Sequence, residues 1–398
     1  MSGCNASTRR ALLVVENESV PHDQRVWREA KTLGRNGWDV SVISPRGAGR
    51  DDRRHEVIDG IEIHRFTLRE AGDGVVAYGL EYGLAVAKIL WLMARVRLRR
   101  GFDVVQLCNP PDVLFAAALP FRLLGTRVIF DHHDLSPELW RSRGGSSFVH
   151  RALVWAERAT FAIADVVMST NESYRRIAID RGGMDPDDVF VVRNGPDLDR
   201  LVPVPPDPQF HNGREHLLGY VGTMGPQDGV DYLLRALDVL VHDQGRDVQA
   251  VLVGDGPELD SLRTLAVELK LDDHVTFTGR VAPDEVAAPL SSADVCVCPD
   301  PRSPLNEVST MIKTLEYMAL GKPIAAFDLV ETRVSAGDAA VYATGDRPED
   351  LADAIAVLLD DEDLRSRIAA GGRSRVEQGL TWRHSEPHLL AAYQRALA

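Results

Sequence analysis

In the stretch NEVSTMIKTLEYMALGKP, Asn306 to Pro323, a lysine stands where a helix begins. Ser309 and Thr310 are residue types that cap helices, and Ile312, Leu315 and Ala319 follow at spacings of three and four. The pattern predicts a helix starting near Thr310. The amino end of a helix carries partial positive charge, so an exposed Lys313 there is disfavoured by roughly 0.3–1 kcal/mol. Backbone N–H groups, two hydroxyls and an ammonium converging on one point describe a phosphate site. Glu316, one turn on, shares the face of Lys313, and its carboxylate suits a sugar hydroxyl rather than a phosphate. The same residues also fit an amphipathic helix with a Lys–Glu pair in solvent.

Four other places carry reactive or ligand-binding residue types. VIFDHHDLSPE sets Asp131, His132, His133 and Asp134 in a row at the end of an apolar run, where burial without partners is costly. Adjacent histidines point apart, and neither H-x-H nor H-x-x-x-H accompanies them, which argues against a metal. A histidine and carboxylates reaching a polar substrate, or a satisfied structural cluster, are the readings that remain. Arg25, after the first strand, either faces a cleft or pairs locally with Asp23 or Glu29. LLGYVGTMGPQDG places Gly222, Gly225 and Gly229 between a strand and a helix, where backbone can approach an anion closely. VLVGDGPE has Gly254 and Gly256 but lacks the third glycine of a dinucleotide fingerprint, and no glycine follows the first strand. Both absences argue against a nicotinamide dehydrogenase.

These residues must be positioned by a long α/β chain. Its 398 residues suffice for two domains, and 44% hydrophobic content supplies two cores. Against 45 Lys and Arg stand 59 Asp and Glu, a net charge of −14 that argues against a nucleic-acid-coating protein. Cys4, Cys108, Cys296 and Cys298 form no framework of spaced pairs, which points to a reducing compartment. The opening residues show no signal peptide. Val75 to Gly101 is apolar, aromatic and basic at its end, but Glu81 and Lys88 interrupt it. It reads as a long helix over a sheet face, or as one whose basic end also meets an anionic membrane, rather than as a membrane span.

Short continuous apolar runs alternate with helical patterns: ALLVVE, VSVISP, DVVQLCN, RVIFDHHD and DVVMSTN, then LLGYVGT, QAVLVGDG, HVTFTG, DVCVCPD and PIAAFD. Such runs predict parallel sheets covered on both faces. The Pro-, Asp- and Gly-rich stretch Asn194 to His216 reads as a linker between two doubly wound, Rossmann-like domains. Ligands in such folds bind beyond the carboxyl ends of the strands, so two facing domains predict a cleft.

In order, DQRVWREAKTLGRNGWDVSVI, DHHDLSPE, VVRNGPDLDRL, VLVGDGPE, VTFTGRV, SSADVCVCPD and LEYMALGKPIAAF resemble the retaining family-4 glycosyltransferases of GT-B fold, over nearly the whole chain. The resemblance implies an acceptor-side domain over 1–200, a nucleotide-sugar donor domain over 201–380, and a helix over 381–398 packing back on the first. It implies that Glu316 binds the donor ribose, that His133 contacts the donor sugar, and that backbone at Arg280 and Val281 holds the base. The family's first glutamate position holds Val308, and Glu307, one residue earlier, is the candidate to replace it. The Arg and Lys of the family's G-R-L-x-x-x-K-G loop are replaced by Thr223 and Asp228, so Lys313, Ser309, Thr310 and the Gly222–Gly225 loop are expected to bind the diphosphate instead.

The implied reaction is transfer of a glycosyl group from a nucleoside diphosphate sugar to an acceptor hydroxyl with retention. His133 and Glu307 are the expected catalytic residues, Arg25 and Asp134 the candidate acceptor contacts, and no metal or other cofactor is expected. The subgroup resembled assembles cell-surface polysaccharide, which implies a saccharide or lipid-linked acceptor, peripheral membrane contact and a cytoplasmic location. An epimerase of the same fold and a non-catalytic sugar- or nucleotide-binding scaffold are the alternatives.

Overall fold

Continuous apolar runs do become buried parallel strands in the computed structural model, which describes residues 9–47, 49–68, 75–282 and 285–398. Cys4 lies outside these residues. The chain divides into one unit of residues 1–193 and 385–398 and a second of 194–384.

In the first unit, β1 (Arg10–Val14), β2 (Asp39–Pro45), β3 (His55–Ile58), β4 (Ile61–Phe66), β5 (Val104–Cys108), β6 (Arg127–His132), β7 (Val166–Ser169) and β8 (Val189–Val191) form one sheet. Its order among the described residues is β3-β4-β2-β1-β5-β6-β7-β8. All neighbours are parallel except β3 and β4. Those two form a hairpin closed by Asp59 and Gly60, both at positive φ (51° and 79°), as a two-residue turn of matching twist requires.

Helix Val75–Arg99 covers this sheet. Ile89, Leu92, Met93 and Val96, at helical spacing, pack against Leu12, Val14, Val105 and Leu107. Among the described residues no helix is long and apolar enough to cross a membrane. The last helix, Trp382–Leu397, buries Leu389, Ala392 and Tyr393. Tyr393 meets Trp38 edge to face, with ring centroids 5.0 Å apart.

In the second unit β9 (His216–Val221), β10 (Val248–Val253), β11 (Val275–Gly279), β12 (Val295–Cys298), β13 (Ile324–Ala326) and β14 (Ala340–Tyr342) are parallel, in the order β11-β10-β9-β12-β13-β14. The Pro-rich stretch expected to be a linker is packed within this unit. Leu198, Leu201 and Phe210 lie on its core, and Ser291 and Ser292 hydroxyls accept from the Val204 and Asp207 N–H groups at 3.2 and 2.9 Å. Cys296 and Cys298 are buried free thiols on β12.

A Cβ on Gly195 would meet the Leu380 carbonyl oxygen at 2.4 Å and the Trp382 nitrogen at 2.5 Å. These are backbone atoms that cannot rotate away. Gly195→Ala is therefore expected to lower unfolding free energy by about 1–3 kcal/mol. Gly371→Ala, with open space on helix Glu362–Arg375, should raise it by up to about 1 kcal/mol. Urea denaturation of both variants provides the check.

Candidate functional site

The carboxyl end of β6 separates its polar residues by strand alternation. His132 points into a pocket of Phe130, Phe161 and Tyr174, with Nε2 3.1 Å from Glu157 Oε1. Glu157 is in turn bonded by Arg181 at 2.7 Å. His132 is thus a buried structural histidine, bonded through Nε2 and enclosed by aromatic rings. Asp131 and His133 lie on the other side, with His133 Nδ1 3.0 Å from Asp131 Oδ2.

Arg25, proposed from sequence as an acceptor contact, is corrected by its burial. It is 7% exposed and grips Asp131 with two bonds, Nε to Oδ2 at 2.9 Å and Nη2 to Oδ1 at 2.6 Å. Its Nη1 donates to the Val192 carbonyl at 3.0 Å, and Nη2 lies 3.3 Å from Glu29. Of its two expected local partners it takes Glu29, but its principal partner is 106 residues away. The network continues inward: Gln106 donates to Glu29 at 2.6 Å and accepts from the Tyr393 hydroxyl at 2.7 Å. On the outer side, Asn109 Oδ1 accepts the N–H groups of His133 and Asp134 at 2.9 and 3.1 Å, which fixes the loop. Asp134 itself is exposed.

Charge in this cluster is unevenly shared. Burial alone would lower the His133 pKa, but the Asp131 carboxylate outweighs it and raises the ring to about 9. Burial alone would raise Asp131, and Arg25 with His133 instead hold it well below the usual carboxylate range. Glu29 is pushed up to about 8 by burial and by Asp131. At neutral pH His133 is therefore an imidazolium, with Nδ1 committed to Asp131.

In the second unit the helix Ile312–Ala319 begins later than its sequence pattern predicts, with Met311 at the cap position and no side-chain cap bond. Ser309 and Thr310 do not cap it. The Ser309 hydroxyl donates to the Leu305 carbonyl at 2.8 Å within the preceding turn, and the Thr310 hydroxyl lies 3.4 Å from Glu331 Oε2. Lys313 is not presented to solvent either. Its ammonium lies 2.5 Å from Asp300 Oδ1 and 3.8 Å from Asp228 Oδ1, over the Tyr220 ring. Two carboxylates therefore already neutralise the cation expected to meet a diphosphate. Glu316 is half-buried on the same helix. Glu307 is ion-paired with Arg302 and accepts the Val330 N–H at 3.0 Å.

The glycine loops serve each other. Gly222, Met224 and Gly225 N–H groups donate to Val253 O, Asp255 O and Asp228 Oδ2 at 3.0, 3.0 and 3.1 Å, so these three do not form an open anion cradle. A Cβ on Gly254 would fall 1.9 Å from the Gly222 carbonyl oxygen, and one on Gly256 2.5 Å from that of Met224. Glycine is required there because two backbones pack on one another. A cavity of about 620 Å³ opens beside them, beyond the carboxyl ends of β9, β10 and β11. Gly222, Thr223, Gly254, Asp255, Arg280 and Val281 line it, with Arg280 its exposed cation. Gly225 lines a smaller cavity of about 320 Å³ with Val230 and Glu258.

Sequence reasoning brought Gly222, Arg280 and Val281 to one cavity and His133 to a charged cluster. It missed Asp300, Gln106 and Tyr393 as partners. The only sequence cue to Asp300 was its place at the end of the strand VCVC.

Residues 22–195 match the family model described as glycosyl transferase 4-like domain, and residues 215–361 match that of glycosyl transferases group 1. The D-inositol 3-phosphate glycosyltransferase of Nocardia farcinica (strain IFM 10152) is 28% identical over 262 residues, 61% of this chain and 55% of that protein. A GDP-mannose-dependent alpha-(1-6)-phosphatidylinositol monomannoside mannosyltransferase of Mycobacterium tuberculosis (strain ATCC 25618 / H37Rv) is 32% identical over 197 residues, 47% of this chain and 51% of that protein. The chain thus spans about half the length of these curated relatives. Among solved structures, sucrose-phosphate synthase from Thermosynechococcus elongatus matches with a TM-score of 0.76 at 18% identity over 98% of this chain and 99% of that one. Anabaena Alr3699/HepE in complex with UDP-glucose matches with a TM-score of 0.72 at 17% identity, over 97% and 99%. These structural likenesses establish the fold: two Rossmann-like domains of GT-B type.

Two outcomes are expected from the charges. Lys313→Met should cost about 3–5 kcal/mol of stability, because it leaves Asp300 and Asp228 without their cation; urea unfolding measures this, and an unchanged midpoint would refute the buried pair. His133 titrates near 6.5 when unfolded and about 9 when folded. Its stabilisation is complete below about pH 6.5 and is lost as pH rises through about 9. The fall in stability across that interval should be shallower in His133→Gln than in the parent, as read by denaturation at stepped pH.

Proposed function

Because the chain belongs to the GT-B glycosyltransferases that pair a 4-like domain with a group 1 domain, we propose that it moves a glycosyl group from a nucleoside diphosphate sugar to an acceptor hydroxyl with retention. The observation that carries the donor class is the cavity of about 620 Å³ at the strand ends of the second unit. Its size and its mixed lining, with Thr223, Asp255 and Arg280 among valines and glycines, suit a nucleotide, in the place where doubly wound folds take ligands. The M. tuberculosis relative is named for GDP-mannose, and the Anabaena structure holds UDP-glucose. A nucleotide-linked sugar is the donor chemistry common to both.

The leaving diphosphate develops negative charge in the transition state, and catalysis rests on meeting that charge with preorganised donors. Arg280 is the cation of the cavity, and the backbone at Arg280 and Val281 is assigned to the base. Glu316 is assigned to the ribose. Lys313, neutralised by its two aspartates, is assigned to holding the Gly222 loop. Its Cε lies 3.3 Å from the Cβ position of Gly222. His133 supplies a charged N–H to the transferred sugar through Nε2, since Asp131 holds Nδ1. Glu307, fixed by Arg302 and the Val330 N–H, is the residue left to recognise the sugar in place of the family's first glutamate. The acceptor's proton goes to the departing phosphate oxygen, so neither an enzyme nucleophile nor a metal is required by this scheme.

For the acceptor we propose a lipid-linked saccharide met at an anionic, cytoplasmic membrane face, as in assembly of surface polysaccharide or glycolipid. Helices Val75–Arg99, Phe115–Leu123 and Ser147–Ile163 pack side by side. They expose Trp91, Leu98, Leu123, Phe148 and Trp155 beside Arg95, Arg99 and Arg151. Apolar residues interleaved with arginines suit an anionic lipid surface.

His133→Ala should lower turnover far more than donor affinity, because its contact is at the reacting sugar. Donor-consumption assays with and without lipid acceptor, paired with calorimetric binding of uridine and guanosine diphosphate sugars, test this. Conversion of the sugar with donor alone would favour an epimerase. Trp91→Glu combined with Trp155→Glu should reduce co-flotation with anionic liposomes at low salt while leaving donor binding unchanged; equal flotation would remove the membrane reading.

A further inference from the structure

We propose that His55, Glu62 and His64 form a binding site for a divalent transition-metal cation of the Zn²⁺ class. The site lies on the β3–β4 hairpin, at the edge of the first sheet away from β6. His55 and His64 are directly opposite in the antiparallel register, and Glu62, two residues before His64, shares their face. The register is set by the Asp59–Gly60 turn, so the three side chains converge by backbone geometry rather than by chance rotamers.

Their atoms meet at one point. Glu62 Oε1 lies 2.8 Å from His55 Nε2 and 3.3 Å from His64 Nε2, and the three ligand atoms all fall within 4.8 Å of one another. Bonds of about 2.0–2.2 Å in tetrahedral geometry place ligand atoms roughly 3.3 Å apart, so small side-chain shifts admit the ion. Two imidazoles and a carboxylate are a borderline donor set that suits Zn²⁺ better than Mg²⁺ or Ca²⁺. His55 is half exposed, which leaves a fourth position for water.

The surroundings prepare the ligands. Arg100 bonds the other Glu62 oxygen and also Asp39 at 2.9 Å, turning Oε1 toward the histidines. His64 is buried beside Glu62, with Arg95 and Arg99 nearby. Those arginines also oppose a cation. Arg100 is itself balanced by two carboxylates, and Arg95 lies over the Trp91 ring at 5.5 Å.

The other convergent cluster, Glu29, Cys108 and Asp131, offers no such site, because Arg25 already bonds Asp131 and lies 3.3 Å from Glu29.

The test uses the full chain without a histidine tag, freed of metal by chelation. Titration with Co²⁺ should give visible ligand-field absorption that saturates at one equivalent, and Zn²⁺ should displace it and raise the thermal midpoint. His55→Ala, at an exposed position, should keep the fold by circular dichroism. It should weaken binding by at least the about 10–100-fold typical of outer-shell changes. Glu62→Gln, which keeps the shape, should do the same. Absence of the saturating Co²⁺ signal, or binding by both variants equal to the parent, overturns the proposal.

Discussion

The pair formed by Arg25 and Asp131 is the constraint on which the first unit turns. Taking a guanidinium and a carboxylate out of water costs several kcal/mol per ion, and only close, saturated bonding offsets it. Here the fork of Arg25 meets both oxygens of Asp131, while Nη1 donates to the Val192 carbonyl and Nη2 lies 3.3 Å from Glu29. The pair therefore fixes helix Gln24–Arg35 against the end of β6 and the chain just beyond β8. Through Glu29, Gln106 and Tyr393 the same chain of bonds reaches β5 and the last helix. Asp131 Oδ2 accepts from Arg25 Nε at 2.9 Å and also meets His133 Nδ1 at 3.0 Å, so the carboxylate that Arg25 holds in place is the one that charges the ring.

The second unit solves a similar problem with the signs rearranged. The glycine loop carries Asp228, and the lysine that faces it is Lys313 on helix Ile312–Ala319. The ammonium bonds Asp300 and lies near Asp228, so an ion pair sits beneath the loop. The loop is held from below by charge and from the side by glycine-to-glycine packing with residues 254–256. Lys313 is thus a buried, paired cation beneath the strand-end loops rather than an exposed one.

What could be read from sequence follows from the range of the interactions involved. Continuous apolar strands announce themselves locally, so the buried strands of both sheets were legible. The β3–β4 hairpin was not, because HEVI and IEIHRF are too polar for a buried-run search, even though Asp59–Gly60 is a strong turn signal. β8 and β14, three residues each, fall below any periodicity. His133 stood out through its ordered neighbours, whereas its controlling pair joins residues 106 apart and has no spacing to detect. Lys313 was legible as a residue at a helix start, but its partner at 300 was not, and the missing carboxylate reversed its meaning from ligand cation to buried support.

The two adjacent histidines show how backbone geometry, more than residue type, assigns chemistry. Both sit at the end of β6 and both have a carboxylate partner, at 3.1 Å for His132 and 3.0 Å for His133. Strand alternation sends His132 under helix Ser147–Ile163, where its partner Glu157 is shared with Arg181 and aromatic rings enclose it. The same alternation sends His133 to the side where Asn109 pins the main chain and where it meets Asp131, whose carboxylate Arg25 also bonds. A one-residue shift of register would exchange the two environments, and with them the structural role of one ring and the reactive role proposed for the other. Asn109 by its bonds to the loop and Arg25 by its grip on Asp131 oppose such a shift, and so hold the charged environment of His133 without needing to touch a substrate.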